Sequence, residues 1–304
     1  MIAVLGGLGA ALLWGSGTVA SARSSRVIGP AATLGWVMVI ALAITVPAAL
    51  LTAPTPPLEP RMLVWLTLAG LGNVLGLLLV YRGLRIGKIG IVTSATSTEG
   101  AVAAVIAVLA GATIAPEAAV TMAFIVLGVV LAASSSEEGV EAAQPEPFDV
   151  DAELAGVPAY AAVPGSSRRA ALHGLAAAAV FGIGLYARAE IAAELPLVWA
   201  VLPAPVAGTL LVALPLAARG RMELSLPAVP LVLFVAFAEV VGTASFAFGA
   251  RENVGIAAVL ASQFAVVSAV LAYFLFGERL TRLQRVGVFV VAVGVAVLTA
   301  LQAA

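Results

Sequence analysis

Apolar residues run through this chain in ten long stretches that are separated by short polar connectors. The stretches cover roughly residues 1–22, 31–52, 62–81, 89–110, 115–133, 170–188, 195–218, 225–249, 254–276 and 283–302. An apolar run of about 20 residues can cross the hydrocarbon core of a bilayer. Because lipid cannot hydrogen-bond an exposed backbone, such a run satisfies its peptide groups only as a helix. The pattern therefore predicts an all-α polytopic membrane protein with ten transmembrane helices.

The composition agrees with a membrane protein and argues against the soluble classes. Of the 304 residues, 62% are apolar and 10% are charged, and the mean hydropathy is +1.13. A soluble domain typically carries about 25% charged residues. The net charge of −1 attracts no polyanion, so we expect no nucleic-acid partner. With no cysteine and one histidine, His173, we also expect neither a metal site nor a cofactor.

One connector is long and polar, and it divides the ten stretches into two sets of five. Residues 134–169 hold seven of the sixteen acidic residues and few side chains that could pack. We interpret this segment as a flexible acidic linker, with a partner-docking segment as the alternative. The predicted organisation is a first five-helix repeat over 1–133, the linker over 134–169, and a second five-helix repeat over 170–304.

The two halves share a sequence repeat with a period near 166 residues. The matches are Trp14-Gly15-Ser16-Gly17 with Phe181-Gly182-Ile183-Gly184, Asn73-Val74-Leu75-Gly76 with Glu239-Val240-Val241-Gly242, Pro47 with Pro215, and Gly128 with Gly294. Because five is odd, two five-helix units in one chain must insert in opposite orientations. Inverted repeats are typical of alternating-access transporters, which bind their substrate near the bilayer midplane between the repeats. A duplicated channel or scaffold is the alternative.

Several motifs resemble the drug/metabolite transporter superfamily, and specifically its EamA-like ten-span transporters. The stretch Phe276-Gly277-Glu278-Arg279-Leu280-Thr281, followed by Gln284, Gly287 and Gly294, is similar to that family's junction between its last two spans. Trp14-Gly15 resembles a tryptophan-glycine pair of its first span, and Tyr81-x-x-Leu84 resembles the end of its third. The first half departs from the pattern, because Gly111-Ala112-Thr113 stands where a second Gly-Glu could stand. The resemblance implies transport of a small solute without specifying which one.

The basic residues predict an orientation. All fifteen are assigned to connectors or span ends, and twelve of them fall in loops after odd-numbered spans. Loops after even-numbered spans hold only Arg61, Arg188 and Arg251. The positive-inside rule then places the twelve in the cytoplasm and both termini outside. The family resemblance implies the opposite, with both termini in the cytoplasm, so the orientation stays open.

Polar residues inside the predicted spans are the candidates for substrate binding, because charge within a bilayer is costly. Glu99 and Glu239 lie deep in the fourth and eighth spans, and Asn73 occupies the position that matches Glu239. The fourth span is unusually polar from Thr93 to Glu99, and Ser262-Gln263 occupies the comparable stretch of the ninth. With two aromatic residues of the opening spans, the candidate substrate-binding residues are Trp14, Asn73, Thr96, Glu99, Tyr186, Glu239, Ser262 and Gln263.

Each candidate also has a structural interpretation. Glu239 could be a protonated acid that hydrogen-bonds a neighbouring helix, and Asn73 could bridge two helices next to a Gly-x-x-x-Gly contact. Hydroxyl groups in the fourth span could bond back to their own helix. Trp14 could pack in the core, and Tyr186 could lie at the membrane interface.

The sequence contains no HExxH, GxSxG or GxxxxGK[ST] motif, so we expect neither an enzyme nor ATP hydrolysis by this chain. The prediction is a secondary active transporter that exports a small organic solute, such as an amino acid, a metabolite or a drug-like cation, by alternating access. Glu239 and Glu99 would bind the cationic group of the solute or a coupling proton. We expect a monomer or homodimer in the lipid bilayer of a bacterial inner membrane. A non-transporting scaffold or a channel is the alternative.

Overall fold

The computed structural model describes residues 1–52, 59–86, 95–133, 167–276 and 282–303, and no strand occurs in these ranges. The helices are α1 (Ile2–Ile28), α2 (Pro30–Thr52), α3 (Pro60–Ile86), α4 (Glu99–Leu109), α5 (Pro116–Ala133), α6 (Ser167–Glu194), α7 (Leu197–Ala218), α8 (Val229–Ala250), α9 (Val254–Ala261), α10 (Phe264–Phe276) and α11 (Arg282–Ala303). A single π turn, Thr209–Ala213, widens α7 just before Pro215. Proline has no N–H and its ring clashes with the carbonyl four residues earlier, which accounts for the irregular turn.

Six described helices are long and apolar enough to cross a membrane. The candidate spans are Ile2–Ser25, Pro30–Thr52, Pro60–Val80, Ala171–Glu194, Leu197–Ala218 and Leu226–Ala250, and shorter apolar helices cover Glu99–Leu109, Pro116–Leu131, Val254–Ser268 and Arg285–Val295. Large apolar side chains such as Leu51 and Leu109 are more than 80% exposed. A bundle that is apolar outside as well as inside is stable in lipid rather than in water. The chain is therefore an all-α integral membrane protein, and the count of ten spans stays a prediction.

The described helices differ from the predicted spans at several places, and three of these differences concern α6, α9 and α10. Helix α6 begins at Ser167, so the last three residues of the segment 134–169 are helical, and residues 134–166 lie outside the described ranges. The same helix continues to Glu194 instead of ending at 188. The expectation that every basic residue lies at a connector or span end is therefore wrong for Arg188. Third, the predicted span 254–276 is interrupted at residues 262–263.

Small residues allow the helices to approach closely. The most extensive helix pairs are α1 with α8 and α3 with α6, followed by α5 with α11 and α2 with α7. A Cβ atom on Gly6 would lie 2.6 Å from the Cα of Gly249, and one on Gly72 would lie 2.9 Å from the Cα of Gly184. Association of helices in lipid depends on such close backbone packing, because no hydrophobic force drives it.

Four of the glycine contacts form two matched pairs. In the first pair, the ring of Trp14 packs on Gly242 and the ring of Phe181 packs on Gly76. In the second pair, the side chain of Ile125 packs on Gly294 and that of Val291 packs on Gly128. In each pair, the two contacts involve residues that lie 166 or 167 positions apart in the sequence. Each contact made by a helix of one half is therefore repeated by the matching helix of the other half.

Candidate functional site

Three charged side chains from three helices lie inside the bundle. Glu99 is the first residue of α4, Arg188 lies in α6 and Glu239 lies midway along α8. Glu99 and Arg188 are 6% and 4% exposed, and the Oε1 atom of Glu239 is buried. The positive charge of Arg188 acts on both carboxyl groups, and the charge of Glu239 acts on Glu99. We call these three residues together with Asn73 the buried charge cluster.

Two glycines of α6 bring Arg188 to this position. A Cβ atom on Gly182 would lie 2.9 Å from the carbonyl oxygen of Glu99, so α6 touches the first turn of α4 there. Gly184 packs on Gly72, the neighbour of Asn73 in α3. Arg188 follows Gly184 by four residues and therefore lies on the same face of α6, one turn further along. The sequence Gly-x-Gly-x-x-x-Arg thus places a guanidinium group between α3 and α4.

The buried charge cluster has hydrogen-bonding capacity that the described residues do not use. The side chain of Asn73 hydrogen-bonds the Glu239 carboxyl group. The Oε1 atom of Glu239, the Oδ1 atom of Asn73, and the Nε and Nη2 atoms of Arg188 are buried without a hydrogen-bond partner. A buried polar group left unpaired costs about 1–3 kcal/mol. Four such atoms on three neighbouring helices indicate a place where a polar solute could be bound.

Two helix interruptions lie beside the cluster. Ser262 and Gln263 separate α9 from α10, and Ser97 and Thr98 form a turn directly before α4. Gly100 packs against the Ser262 hydroxyl group and the Ala258 carbonyl group, so the two interruptions face each other. In transporters, broken helices of this kind present free backbone groups and helix ends to a bound solute at mid-membrane depth.

Side chains at the interruptions bond to their own helices. The hydroxyl group of Ser262 donates to the carbonyl of Ala258 at 3.0 Å, and the amide of Gln263 donates to the carbonyl of Val259 at 3.1 Å. Thr98 donates to the carbonyl of Ala95 at 2.7 Å. The Oε1 atom of Gln263 is buried without a hydrogen-bond partner and adds an acceptor to the site. Thr96, another predicted candidate, is buried in the residues that precede α4.

Trp14 borders the cluster from α1. Its ring packs against Gly242, which lies three residues after Glu239 on α8 and so on a neighbouring part of the same face. The ring is also paired with Phe246, with centroids 6.2 Å apart and planes tilted by 34°. The indole Nε1 atom is buried without a hydrogen-bond partner, as is the hydroxyl oxygen of Thr243. Trp14 therefore presents both an aromatic surface and a free donor near Glu239.

Tyr186 lies apart from the cluster. It precedes Arg188 by two residues, which places the two side chains about 200° apart around α6. Its ring packs edge-on against Trp65, with centroids 5.8 Å apart, and its hydroxyl group hydrogen-bonds Glu190. Glu190 in turn pairs with Arg61 at 3.1 Å. These contacts agree with the alternative interpretation of Tyr186 as an interfacial residue.

Arg188 and Thr243 were not predicted from the sequence as residues of the site. The predicted sixth span ends at residue 188, so Arg188 is counted with the loop that follows it. Two features indicate that the helix continues beyond Arg188. Residues Ile191-Ala192-Ala193 are apolar, and the first residue that would end a helix is Pro196. Thr243 carries no comparable signal, because a lone threonine in an apolar helix usually bonds back to its own backbone.

Comparison with known proteins shows which class of protein this chain is similar to. A sequence model of the EamA-like transporter family matches residues 1–134. The match confirms, over the first half of the chain, the predicted resemblance to the drug/metabolite transporter superfamily. It indicates a membrane transporter of the drug/metabolite type.

A solved structure supports the fold along the whole chain. This protein, described only as a crystal structure of a protein, is similar with a TM-score of 0.71 over 98% of this chain and 96% of its own. The two sequences are 18% identical, so the similarity concerns the fold alone. The comparison with curated proteins finds no match.

Proposed function

We propose that the protein is a secondary active transporter that exports a small organic solute from a bacterial cell across the inner membrane. The solute would be bound at the buried charge cluster, between two inverted five-helix repeats that expose it alternately to the two sides. The observation that carries this proposal is the presence of Glu99, Arg188 and Glu239 inside the bundle beside two interrupted helices. Charge at that depth is costly and is usually retained for function. The family match over residues 1–134 points the same way.

The matched helix contacts support the inverted repeats. The counterpart of Asn73 in the second half is Glu239, and these two residues hydrogen-bond each other. A contact between two equivalent positions is expected at the axis that relates two repeats. In this proposal the charge cluster lies where the repeats would meet, which is the usual place of a transport site in folds of this kind.

The charges suggest how a proton could be coupled to the solute. Two carboxylates and one guanidinium leave an excess of one negative charge when all three are ionised. One proton or one cationic group of a solute neutralises that excess. Because an uncompensated charge is costly in a low-dielectric interior, binding of the proton and binding of the cationic group compete. Competition of this kind, in a site open to one side at a time, exchanges protons for solute.

The test uses the purified full-length protein in liposomes with an imposed pH gradient, and a panel of amino acids, other metabolites and organic cations. Glu239→Gln keeps the shape of the side chain but cannot ionise, so we expect it to fold and to lose pH-driven transport. Glu239→Asp should keep partial function, and Asn73→Ala should weaken solute affinity more than pH dependence. The matched control is Glu117→Gln, on the exposed first turn of α5, which should transport like the wild type.

Three results would contradict the proposal in different ways. An unaltered pH profile in Glu239→Gln would show that this residue packs between helices and that coupling lies elsewhere. Flux that does not saturate with solute concentration would indicate a channel. The absence of any flux across the whole panel would favour a non-transporting scaffold.

A further inference from the structure

The guanidinium group of Arg188 has one free edge. Its side chain is buried, and among the described residues the ion pairs involve Met1, Glu252, Arg61, Glu190 and Glu194, with none at Arg188. Both Nε and Nη2 lack a hydrogen-bond partner. Arginine stays charged at any physiological pH, so it cannot relieve this situation by losing a proton.

The two free nitrogens define the shape of the missing partner. In a guanidinium group, the N–H bonds of Nε and Nη2 lie in one plane and point to the same side. Two parallel donors of this geometry match the two oxygens of a carboxylate, which is the strongest and most specific arrangement that arginine makes. Glu239 already shares a hydrogen bond with Asn73, and neither glutamate comes within 4.0 Å of Arg188 to form an ion pair.

We propose that the Nε and Nη2 edge of Arg188 binds a carboxylate group of the transported solute, while Glu239 and Glu99 face its ammonium group. The solute is then a zwitterion of the amino-acid class rather than a simple organic cation. This inference rests on the proposed function and narrows its solute.

Charge decides between a carboxylate and a phosphate at this position. A phosphate group carries about −1.5 to −2 charges at pH 7, and it would lie beside two glutamates. Repulsion between like charges disfavours that arrangement. A zwitterion adds no net charge to the cluster, and its ammonium group still competes with a proton for the two glutamates. An organic cation without a carboxylate would leave the free edge of Arg188 unpaired.

The experiment measures thermal stabilisation of the purified full-length protein by matched ligands, because a ligand that binds the folded state raises its Tm. The probes are the twenty standard amino acids, the carboxamide of each, and the amine that remains when its carboxylate is removed. We expect at least one amino acid to stabilise the protein. Its carboxamide and its amine should bind at least about 30-fold more weakly, as expected when one partner of a buried charge pair is removed.

Variants of Arg188 test the assignment to this residue. Arg188→Gln should remove the preference for the acid over its carboxamide. Arg188→Lys keeps the charge but not the paired donors, so it should give an intermediate preference. The control is Arg219→Gln, at an exposed connector after α7, which should preserve the full preference. If Arg188→Gln fails to fold, the ligand series on the wild type still shows whether binding requires the carboxylate of the solute.

Equal binding of an amino acid and its carboxamide would overturn the proposal. Stabilisation by organic cations with none by any amino acid would also overturn it. In either case, saturable flux of the bound compound in liposomes would show that the transport function stands and that only the solute class is wrong. If nothing is transported, the proposed function itself fails.

Discussion

The equivalence of the two halves can be tested at two glycines. Gly76 in α3 and Gly242 in α8 are matched positions, and each supports an aromatic ring from the first helix of the other half. A Cβ atom on Gly242 would lie 2.7 Å from Nε1 and 2.8 Å from Cδ1 of Trp14. A Cβ atom on Gly76 would lie 2.5, 2.5 and 2.7 Å from three ring atoms of Phe181. Because non-bonded carbon atoms prefer about 3.5–4.0 Å, each ring would have to move by roughly 1 Å.

The expected cost follows from this overlap. Inserting a methyl group into a packed interior typically costs about 1–3 kcal/mol. Gly76→Ala and Gly242→Ala should each destabilise the protein by an amount in this range, and the two values should agree within about 1 kcal/mol, because the geometry is nearly the same. The measurement is unfolding of the purified protein in mixed micelles of rising SDS content, followed by far-UV circular dichroism. Tryptophan fluorescence is unsuitable, since Trp14 is at the contact.

The matched controls are Leu75→Ala and Val241→Ala, one residue before each glycine. Both side chains are more than a third exposed on the outer surface. Their truncation should change the stability by less than about 0.5 kcal/mol. A large cost at one glycine with none at the other would refute the equivalence of the two contacts. No cost at either glycine would show that the rings do not pack on α3 and α8 as described.

Two further predictions concern the contact of Glu252 with the N-terminus and the acidic segment. The carboxylate of Glu252 accepts a hydrogen bond from the Ala3 backbone N–H at 2.6 Å and pairs with the N-terminal amine of Met1 at 3.2 Å, which holds its pKa below the ordinary value of 4.5. Its stabilising effect should therefore be present at neutral pH and disappear as the pH falls below 4.5, so Glu252→Gln should lower the unfolding midpoint slightly at pH 7 and leave it unchanged at pH 3. The composition of residues 137–153 predicts that deleting about ten of them leaves the Tm and transport nearly unchanged, and loss of the folded protein would contradict this.

Hydropathy predicted most of the helices, but it could not predict which side chains of α6 point into the bundle. Arg188, Glu190 and Glu194 are close in sequence, so a linear count of charge places the end of the span at Arg188. In the helix, Arg188 points into the bundle, whereas Glu190 and Glu194 pair with Arg61 at the edge. A helix places residues two positions apart on nearly opposite faces, and a linear hydropathy average discards that difference.

The interruption between α9 and α10 was also beyond the sequence analysis. Residues 254–276 contain no proline, and the break falls at Ser262 and Gln263 rather than at a glycine. Both side chains bond to carbonyl groups one turn earlier, which competes with the continuing helix. By contrast, the positions of Glu99 and Glu239 inside the bundle were predicted from the sequence, because each is the only charged residue in its predicted span.

The end of α6 offers a last test of how the site opens. The Nε and Nη2 atoms of Arg251 donate to the carbonyls of Ala192 and Leu195 at 2.6 and 2.8 Å, and so pair acceptors that the end of a helix otherwise leaves free. Arg61 also pairs with Glu194 at 3.0 Å. A movement of α6 that exposed the charge cluster toward this face would have to break these contacts.

Because the chain has no cysteine, a single introduced thiol reports that movement without background. Thr243→Cys places the thiol one turn from Glu239, at a side chain that is buried in the described conformation. In detergent, adding Arg251→Ala should raise the rate of maleimide labelling at residue 243 several-fold, since the closed form loses two hydrogen bonds worth about 0.5–1.5 kcal/mol each. Arg219→Ala, which removes an exposed arginine from the connector after α7, should leave the rate unchanged. Equal labelling rates with and without Arg251 would show that the end of α6 does not control access to the charge cluster.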